Sequence, residues 1–221
     1  MGTITKKTES FASAELSLDT EGLLLERLKN SNTDEDYFRW MLFVVGFYRG
    51  INRIDAATEL LEGFIKVSKD PEQAAHCHLA LGQIATDEQR LDTALNHFAT
   101  ALDFAPEKGK IAYVLHNNIG YCLNELRRFV DGEKHCRLAI DIDWTRASAF
   151  RNLGVSLQGQ GMLVDAAWAL VEAITAESSD NRARAILQKL VAANAQMAVQ
   201  NPWILQSLNG DPQANSNLPL M

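Results

Sequence analysis

The amino-acid sequence predicts an all-α solenoid of repeated helix pairs, and three observations carry that expectation. Tripeptides ending in glycine recur as Ala80-Leu81-Gly82, Asn118-Ile119-Gly120 and Asn152-Leu153-Gly154, the glycines 38 and 34 residues apart. Twelve residues after each glycine stands a small residue (Ala94, Gly132, Ala166), sixteen after a larger one (Phe98, Cys136, Leu170), and nineteen after an alanine (Ala101, Ala139, Ala173). Apolar residues flank each glycine at helical spacing, with Leu81, Ile119 or Leu153 before it and Ala85, Leu123 or Leu157 three after it. A period in this range marks stacked supersecondary units. Each unit reads as a helix holding the glycine, a turn, and a second helix holding the alanines.

Distance explains the small residues. Two antiparallel helices approach to 8–10 Å or closer only where the side chains at the crossing are small. A glycine inside a helix costs about 1 kcal/mol relative to alanine, so its recurrence asks for such a packing reason. A fainter copy lies 38 residues before Gly82, at Val44. In that frame Trp40, Phe43 and Phe47 belong to its first helix, and Ala56, Leu60 and Gly63 to its second.

The rest of the chain frames this array. Residues 1–12 read as a tail, 13–35 as an N-terminal helical segment with Leu23, Leu24, Leu25 and Leu28 near Asp19 to Lys29, and 36–179 as about four repeats. Residues 180–200 read as a capping helix of the kind terminal repeats require. Residues 201–221 form a second tail carrying the short apolar segment Pro202 to Leu208, which either docks on the last helices or enters a groove as an internal ligand.

Composition narrows the function. The 221 residues carry 21 Lys and Arg against 28 Asp and Glu, a formal charge of −7, with 47% hydrophobic residues and 5 prolines. A basic nucleic-acid binder, a low-complexity disordered chain and a collagen-like rod are all excluded by that balance. The 3 cysteines, Cys77, Cys122 and Cys136, are too few and too odd in number for a disulfide framework, so a reducing compartment is expected. Cys122 and Cys136 fall on inward registers, whereas Cys77 is a candidate for partial exposure. The opening residues show no apolar core after Lys6 and Lys7, and Lys6 stands where a myristoylation signal wants Ser or Thr. The longest apolar run, Trp40 to Tyr48, falls far short of the roughly 20 residues that span a bilayer. A soluble cytoplasmic protein without membrane or nucleic-acid partners is the expectation.

Leu81, Gly82, Ala94, Phe98, Ala101 and Pro106 together resemble the tetratricopeptide repeat, whose pattern sets a Trp, Leu-Gly and Tyr in the first helix and Ala, Phe, Ala and a closing Pro in the second. The other units depart from it in ending on Trp144 and Ser178. The resemblance implies a right-handed α-α superhelix whose first helices line a concave groove for an extended peptide or a partner helix. It also implies which residues face that groove: those two and three before the glycine, and one and four after it. These are Leu79, Ala80, Gln83 and Thr86, then Asn117, Asn118, Tyr121 and Asn124, then Arg151, Asn152, Val155 and Gln158, with Met41, Leu42, Val45 and Tyr48 from the front copy. Asn118 and Asn152 share one register, and the resemblance implies an asparagine ladder on a peptide backbone. A side-chain amide can bond both a peptide C=O and an N–H. The basic residues of the chaperone-type carboxylate clamp are missing, since Leu79, Gln83, Ser148 and Asn152 occupy their places.

The remaining chemistry reads as structural. His76 and His78, two apart on a helix, point to different faces and cannot chelate together. His78 and His116 share the register four before the glycine, and His97 and His135 the register fifteen after it, which suits half-buried structural roles. Gly159-Gln160-Gly161 lies at a helix turn with no preceding strand, against a phosphate loop, and Asp141-Ile142-Asp143 has too few oxygens for calcium. No catalytic arrangement, metal or cofactor is expected. The sequence thus points to a non-catalytic adaptor or scaffold that holds a protein or peptide. Two alternatives stand beside it: a dedicated cytoplasmic chaperone resembling those of type III secretion, and a self-assembling subunit that dimerises through Trp40, Met41 and Phe47.

Overall fold

The computed structural model describes residues 19–104, 109–179 and 181–209, so Pro106 and the expected tails at 1–12 and 210–221 lie outside the described residues. Helix α1 covers residues 19–29. Four hairpins follow: α2 (Asp34–Gly50) with α3 (Ile54–Val67), α4 (Pro71–Asp87) with α5 (Leu91–Phe104), α6 (Lys110–Glu125) with α7 (Phe129–Ile142), and α8 (Ala147–Gly159) with α9 (Leu163–Ala176). Three shorter helices close the array, α10 (Asn181–Ala193), α11 (Ala195–Gln200) and α12 (Pro202–Leu208). The described residues contain no strand. The architecture is an all-α superhelix.

Within the second, third and fourth hairpins the crossing is as close as the sequence pattern requires. A Cβ added at Gly82 would lie 2.3 Å from the Phe98 ring, one at Gly120 2.6 Å from Cys136 Sγ, and one at Gly154 2.7 Å from Leu170 Cγ. The alanines opposite, Ala94, Ala101, Ala139, Ala166 and Ala173, have no solvent-accessible surface. The core runs along the stack as successive clusters that join a hairpin to the first helix of the next, and at the end the fourth hairpin to α10, α11 and α12.

The turns are identical too, and they correct the frame of the first unit. Seven residues after each reference glycine the backbone is left-handed, at Gln89 (φ 59°), Arg127 (φ 60°) and Gly161 (φ 80°). The next residue donates its N–H back to the helix, Arg90 to Ala85 O at 2.8 Å, Arg128 to Leu123 O at 2.8 Å and Met162 to Leu157 O at 3.0 Å. This is the Schellman ending, which satisfies carbonyls orphaned at a helix C-terminus. In the first unit Asn52 (φ 61°) holds the left-handed place and Arg53 N–H donates to Tyr48 O at 2.8 Å.

Counting back seven sets the reference at Val45, not Val44. Met41, Val44 and Tyr48 then fill the pattern's places in the first helix, and Ala57, Leu61 and Phe64 those in the second, all of them buried. Trp40, Phe43, Phe47, Ala56, Leu60 and Gly63 retain solvent exposure instead. Neighbouring stripes of α2 are both apolar, so periodicity alone does not choose between them. Met41, with no exposed surface, cannot belong to a dimer face.

Caps fix the helix starts. Thr33 Oγ1 accepts from Asp36 N–H at 3.0 Å, and Asp70 accepts from Glu72 N–H at 2.9 Å, with Pro71 in the first turn of α4. The N-terminal helix is held by Glu21, which accepts from Tyr48 Oη at 2.9 Å and from Arg53 Nη1 at 2.6 Å. Leu28 adds buried contact to the first cluster. At the other end the expected single cap helix breaks at Asn194, whose side chain donates to Leu190 O at 3.0 Å and so supplies the local bond that competes with helix continuation. The apolar C-terminal segment is helix α12. Trp203 and Ile204 are buried in one cluster with Leu170, Leu187 and Leu190, and Arg184 donates to Leu208 O at 2.7 Å. It docks on its own α9 and α10 and does not enter a groove as an internal ligand.

The glycine contacts give a paired prediction. Gly82→Ala should destabilise the protein by about 1–3 kcal/mol, because the Phe98 ring it meets is fully enclosed. Gly63→Ala, where a Cβ meets nothing within 4 Å, should stabilise it by roughly 0.5–1 kcal/mol through helix propensity alone. Urea denaturation of both variants checks this, and equal shifts would contradict the crossing argument.

Candidate functional site

The first helices of the hairpins, α2, α4, α6 and α8, share one face, and most of the residues singled out from the sequence lie along it. With the first unit re-registered, the positions three before and one and four after the reference are Leu42, Gly46 and Arg49, then Leu79, Gln83 and Thr86, then Asn117, Tyr121 and Asn124, then Arg151, Val155 and Gln158. Tyr48 leaves this set. It is buried, its hydroxyl is bonded to Glu21, and the Arg53 guanidinium lies 4.4 Å from its ring centre. Arg49 takes its place, donating to Gln83 Oε1 at 3.3 Å and to Asp87 Oδ2 at 2.9 Å across to α4. Sequence reasoning missed Arg49, and the signal that finds it is Asn52, a residue type that tolerates the left-handed turn position.

Toward the other end the asparagines form a connected network between α6 and α8. Asn117 Nδ2 donates to Asn118 Oδ1 at 3.4 Å. Asn152 Nδ2 donates to Asn117 Oδ1 at 3.1 Å and is 3.3 Å from Asn117 O. Asn124 Nδ2 donates to Asn152 O at 2.8 Å, and Ser156 Oγ donates to Asn124 Oδ1 at 2.7 Å. Asn124 and Asn152 are only 6% and 8% exposed, so their amides are engaged by the neighbouring helix. Asn118 is half-buried and uses only its carbonyl oxygen among the described residues. Two amides of one register thus sit in different states. A buried amide must find partners within the protein, and α6 supplies them for Asn152.

Leu79, Gln83, Asn117, Tyr121 and Arg151 are half-buried, and Gln158 is exposed. Burial raises the Tyr121 hydroxyl above the usual phenol range, and the carboxylates of Glu125 and Asp87 add to that. At the α8 end a cavity of about 430 Å³ is lined by Arg146, Ser148, Arg151, Glu177 and Arg182. Three guanidiniums around one opening stand out in a chain of net charge −7. Arg146 also stacks on Tyr113, 4.1 Å from the ring centre, and Tyr113 Oη lies 2.8 Å from Ser148 Oγ.

The cysteines are interior. Cys77 is fully buried, which corrects the expectation of partial exposure, and burial pushes its thiol up to about 12. Cys136 is likewise pushed up to about 12 by burial. Neither is a thiolate nucleophile at neutral pH. The histidines, in contrast, meet across helices: His78 Nδ1 lies 3.2 Å from His97 Nδ1, and His116 Nδ1 lies 3.0 Å from His135 Nδ1. Burial depresses all four, His116 to about 4, so each pair is neutral at pH 7.

No family model matches the chain. Among curated proteins it is 23% identical over 167 residues to a UDP-N-acetylglucosamine 1-carboxyvinyltransferase of Halorhodospira halophila. That match takes in 75% of this chain and 39% of the enzyme, so the chain spans well under half of that relative's length. Two solved structures take in more of this chain and a third takes in less. MamA (41-end) from Desulfovibrio magneticus RS-1 superposes with a TM-score of 0.61 at 13% identity, over 82% of this chain and 99% of that one. YrrB, a tetratricopeptide-repeat protein with an unusual peptide-binding site, gives 0.59 at 15% identity over 84% and 91%. The repeat domain of Arabidopsis OM64 gives 0.51 at 19% identity over 54% and 96%.

Two predictions follow from these contacts. Asn124→Ala should cost about 1–3 kcal/mol, since it removes two buried hydrogen bonds, to Asn152 O and from Ser156 Oγ, and leaves a void between α6 and α8, whereas Asn118→Ala should change stability by under about 0.5 kcal/mol. The histidines make stability pH-dependent. The unfolded chain takes up protons near pH 6.5 and the folded pairs resist them, so stability should be lost as pH falls from 6.5 towards about 4. Denaturation midpoints at pH 8, 6.5 and 5 test this, and His116→Gln should flatten the first part of the fall. The matching turns, glycine crossings and superpositions converge on one conclusion, that the chain has the tetratricopeptide-repeat fold.

Proposed function

We propose that this protein is a non-catalytic adaptor or scaffold that holds an extended segment of another protein along the shared face of α2, α4, α6 and α8. The binding residues in this reading are Leu79 and Gln83 from α4, Asn117, Asn118 and Tyr121 from α6, and Arg151 and Gln158 from α8, with Arg49 joining them from α2. Asn124 and Asn152 act from behind, fixing α6 against α8 so that Asn117 and Asn118 are presented in one orientation. The observation that carries the proposal is the half-buried row of amide and apolar side chains on adjacent first helices, with the Asn118 amide nitrogen directed to no protein acceptor among the described residues. A single hydrogen bond contributes only about 1 kcal/mol net, so Leu79 and Tyr121 supply most of the affinity through burial. The arginine-lined cavity beside Arg151 suits an acidic group at one end of the bound segment.

Capture of partners from the native cell, identification by mass spectrometry and anisotropy with peptides from them test the reading. Asn118→Ala combined with Tyr121→Ala should weaken binding at least tenfold and leave helicity unchanged, with the unfolding midpoint lowered only by the contact Tyr121 makes with the core cluster of α4, α5 and α6. Unaltered affinity in that variant would remove the shared face from the function.

A further inference from the structure

Two pairs of histidines occupy the same place in consecutive repeats. His78 on α4 faces His97 on α5, and 38 residues later His116 on α6 faces His135 on α7. The Nδ1 atoms are 3.2 and 3.0 Å apart, with ring centres at 5.5 and 5.2 Å. All four side chains are half-buried, so solvent and small ions reach them. The fold does not need them: the equivalent places are Met41 and Leu60 in the first unit, Phe150 and Ala169 in the fourth. Those hairpins close on apolar contact alone.

We propose that each pair is a bis-imidazole site for a borderline divalent transition-metal ion of the zinc class, bound between the two helices of a hairpin. Metal–nitrogen bonds of roughly 2.0–2.1 Å with the observed separations correspond to an N–metal–N angle of roughly 91–106°, between the square-planar and tetrahedral values, and since the rings now meet head-on each turns by roughly 40° to aim its lone pair at the ion. Imidazole binds metal through the lone pair of a neutral ring nitrogen, and in each pair two such nitrogens face each other across the hairpin. In the metal-free pair one ring donates Nδ1–H to the other. On binding, that ring carries its proton on Nε2 instead, so two neutral donors face the ion with no net proton release. No group of three or more His, Cys, Asp or Glu gathers at either place among the described residues, so water completes the coordination. Nearby carboxylates favour a cation: Glu62 acts on His97, where Arg90 opposes it, and Asp131 acts on His135, where Lys134 opposes it. His116 directly precedes Asn117 and Asn118, so an ion there would clamp the helix that carries them.

Equilibrium dialysis of the full chain against zinc chloride at pH 7.5 tests the assignment, with the thermal midpoint recorded with and without zinc. The expected result is two equivalents bound and a zinc-dependent rise in midpoint, one equivalent in His97→Ala or His135→Ala, and none in the double variant. His97→Leu with His135→Leu, closer to the volumes lost, serves where alanine loosens the hairpins, and circular dichroism verifies folding. His76→Ala should keep both equivalents. Less than half an equivalent on the native chain, or two equivalents retained by the folded double variant, would overturn the proposal.

Discussion

Close approach of the two helices in the three glycine-bearing hairpins is the constraint on which everything else rests. It requires glycine or a small residue on one helix and a matching small surface on the other, and the Phe98, Cys136 and Leu170 side chains close over Gly82, Gly120 and Gly154 at distances a methyl group would violate. Once a hairpin is that tight, its first helix has one face pressed on its partner and on the neighbouring unit. The remaining face recurs at the same angle in every unit, which is how a local steric rule generates a continuous surface.

That surface differs along its length. At the front, Arg49 bridges α2 and α4 through Gln83 and Asp87, so polar side chains tie the helices together over an apolar core. Toward the back, the asparagines of α6 and α8 do the same with amides, and the innermost of them, Asn124, is enclosed and fully committed. Asn117 accepts from Asn152 of α8, while its neighbour Asn118 leaves its amide nitrogen without a protein acceptor among the described residues.

Much of this was legible in the sequence. Three glycine registers gave three hairpins and their crossing partners, because steric exclusion leaves a residue-type signature at fixed spacing. The register of the first unit is ambiguous by one residue in the sequence, since Val44 and Val45 are equally apolar and only the left-handed turn at Asn52 separates them. That shift moved Tyr48 into the core and brought Arg49 to the surface. Pairing across helices was the harder problem. The Asn152–Asn117 bond and the His78–His97 and His116–His135 contacts join residues 19 to 35 positions apart, and which side chains meet depends on the hairpin's angle, not on spacing within one helix. Likewise Cys77 is enclosed by its packing against the preceding hairpin, which no single-helix pattern reveals.

Hydrogen exchange of the full chain with a captured partner bound examines the central claim most directly, because it reads every helix at once. The account predicts new protection concentrated in 76–86, 114–124 and 148–158, with α5, α7 and α9 unchanged. Protection confined to those second helices, or to the α10–α12 cap, would contradict it.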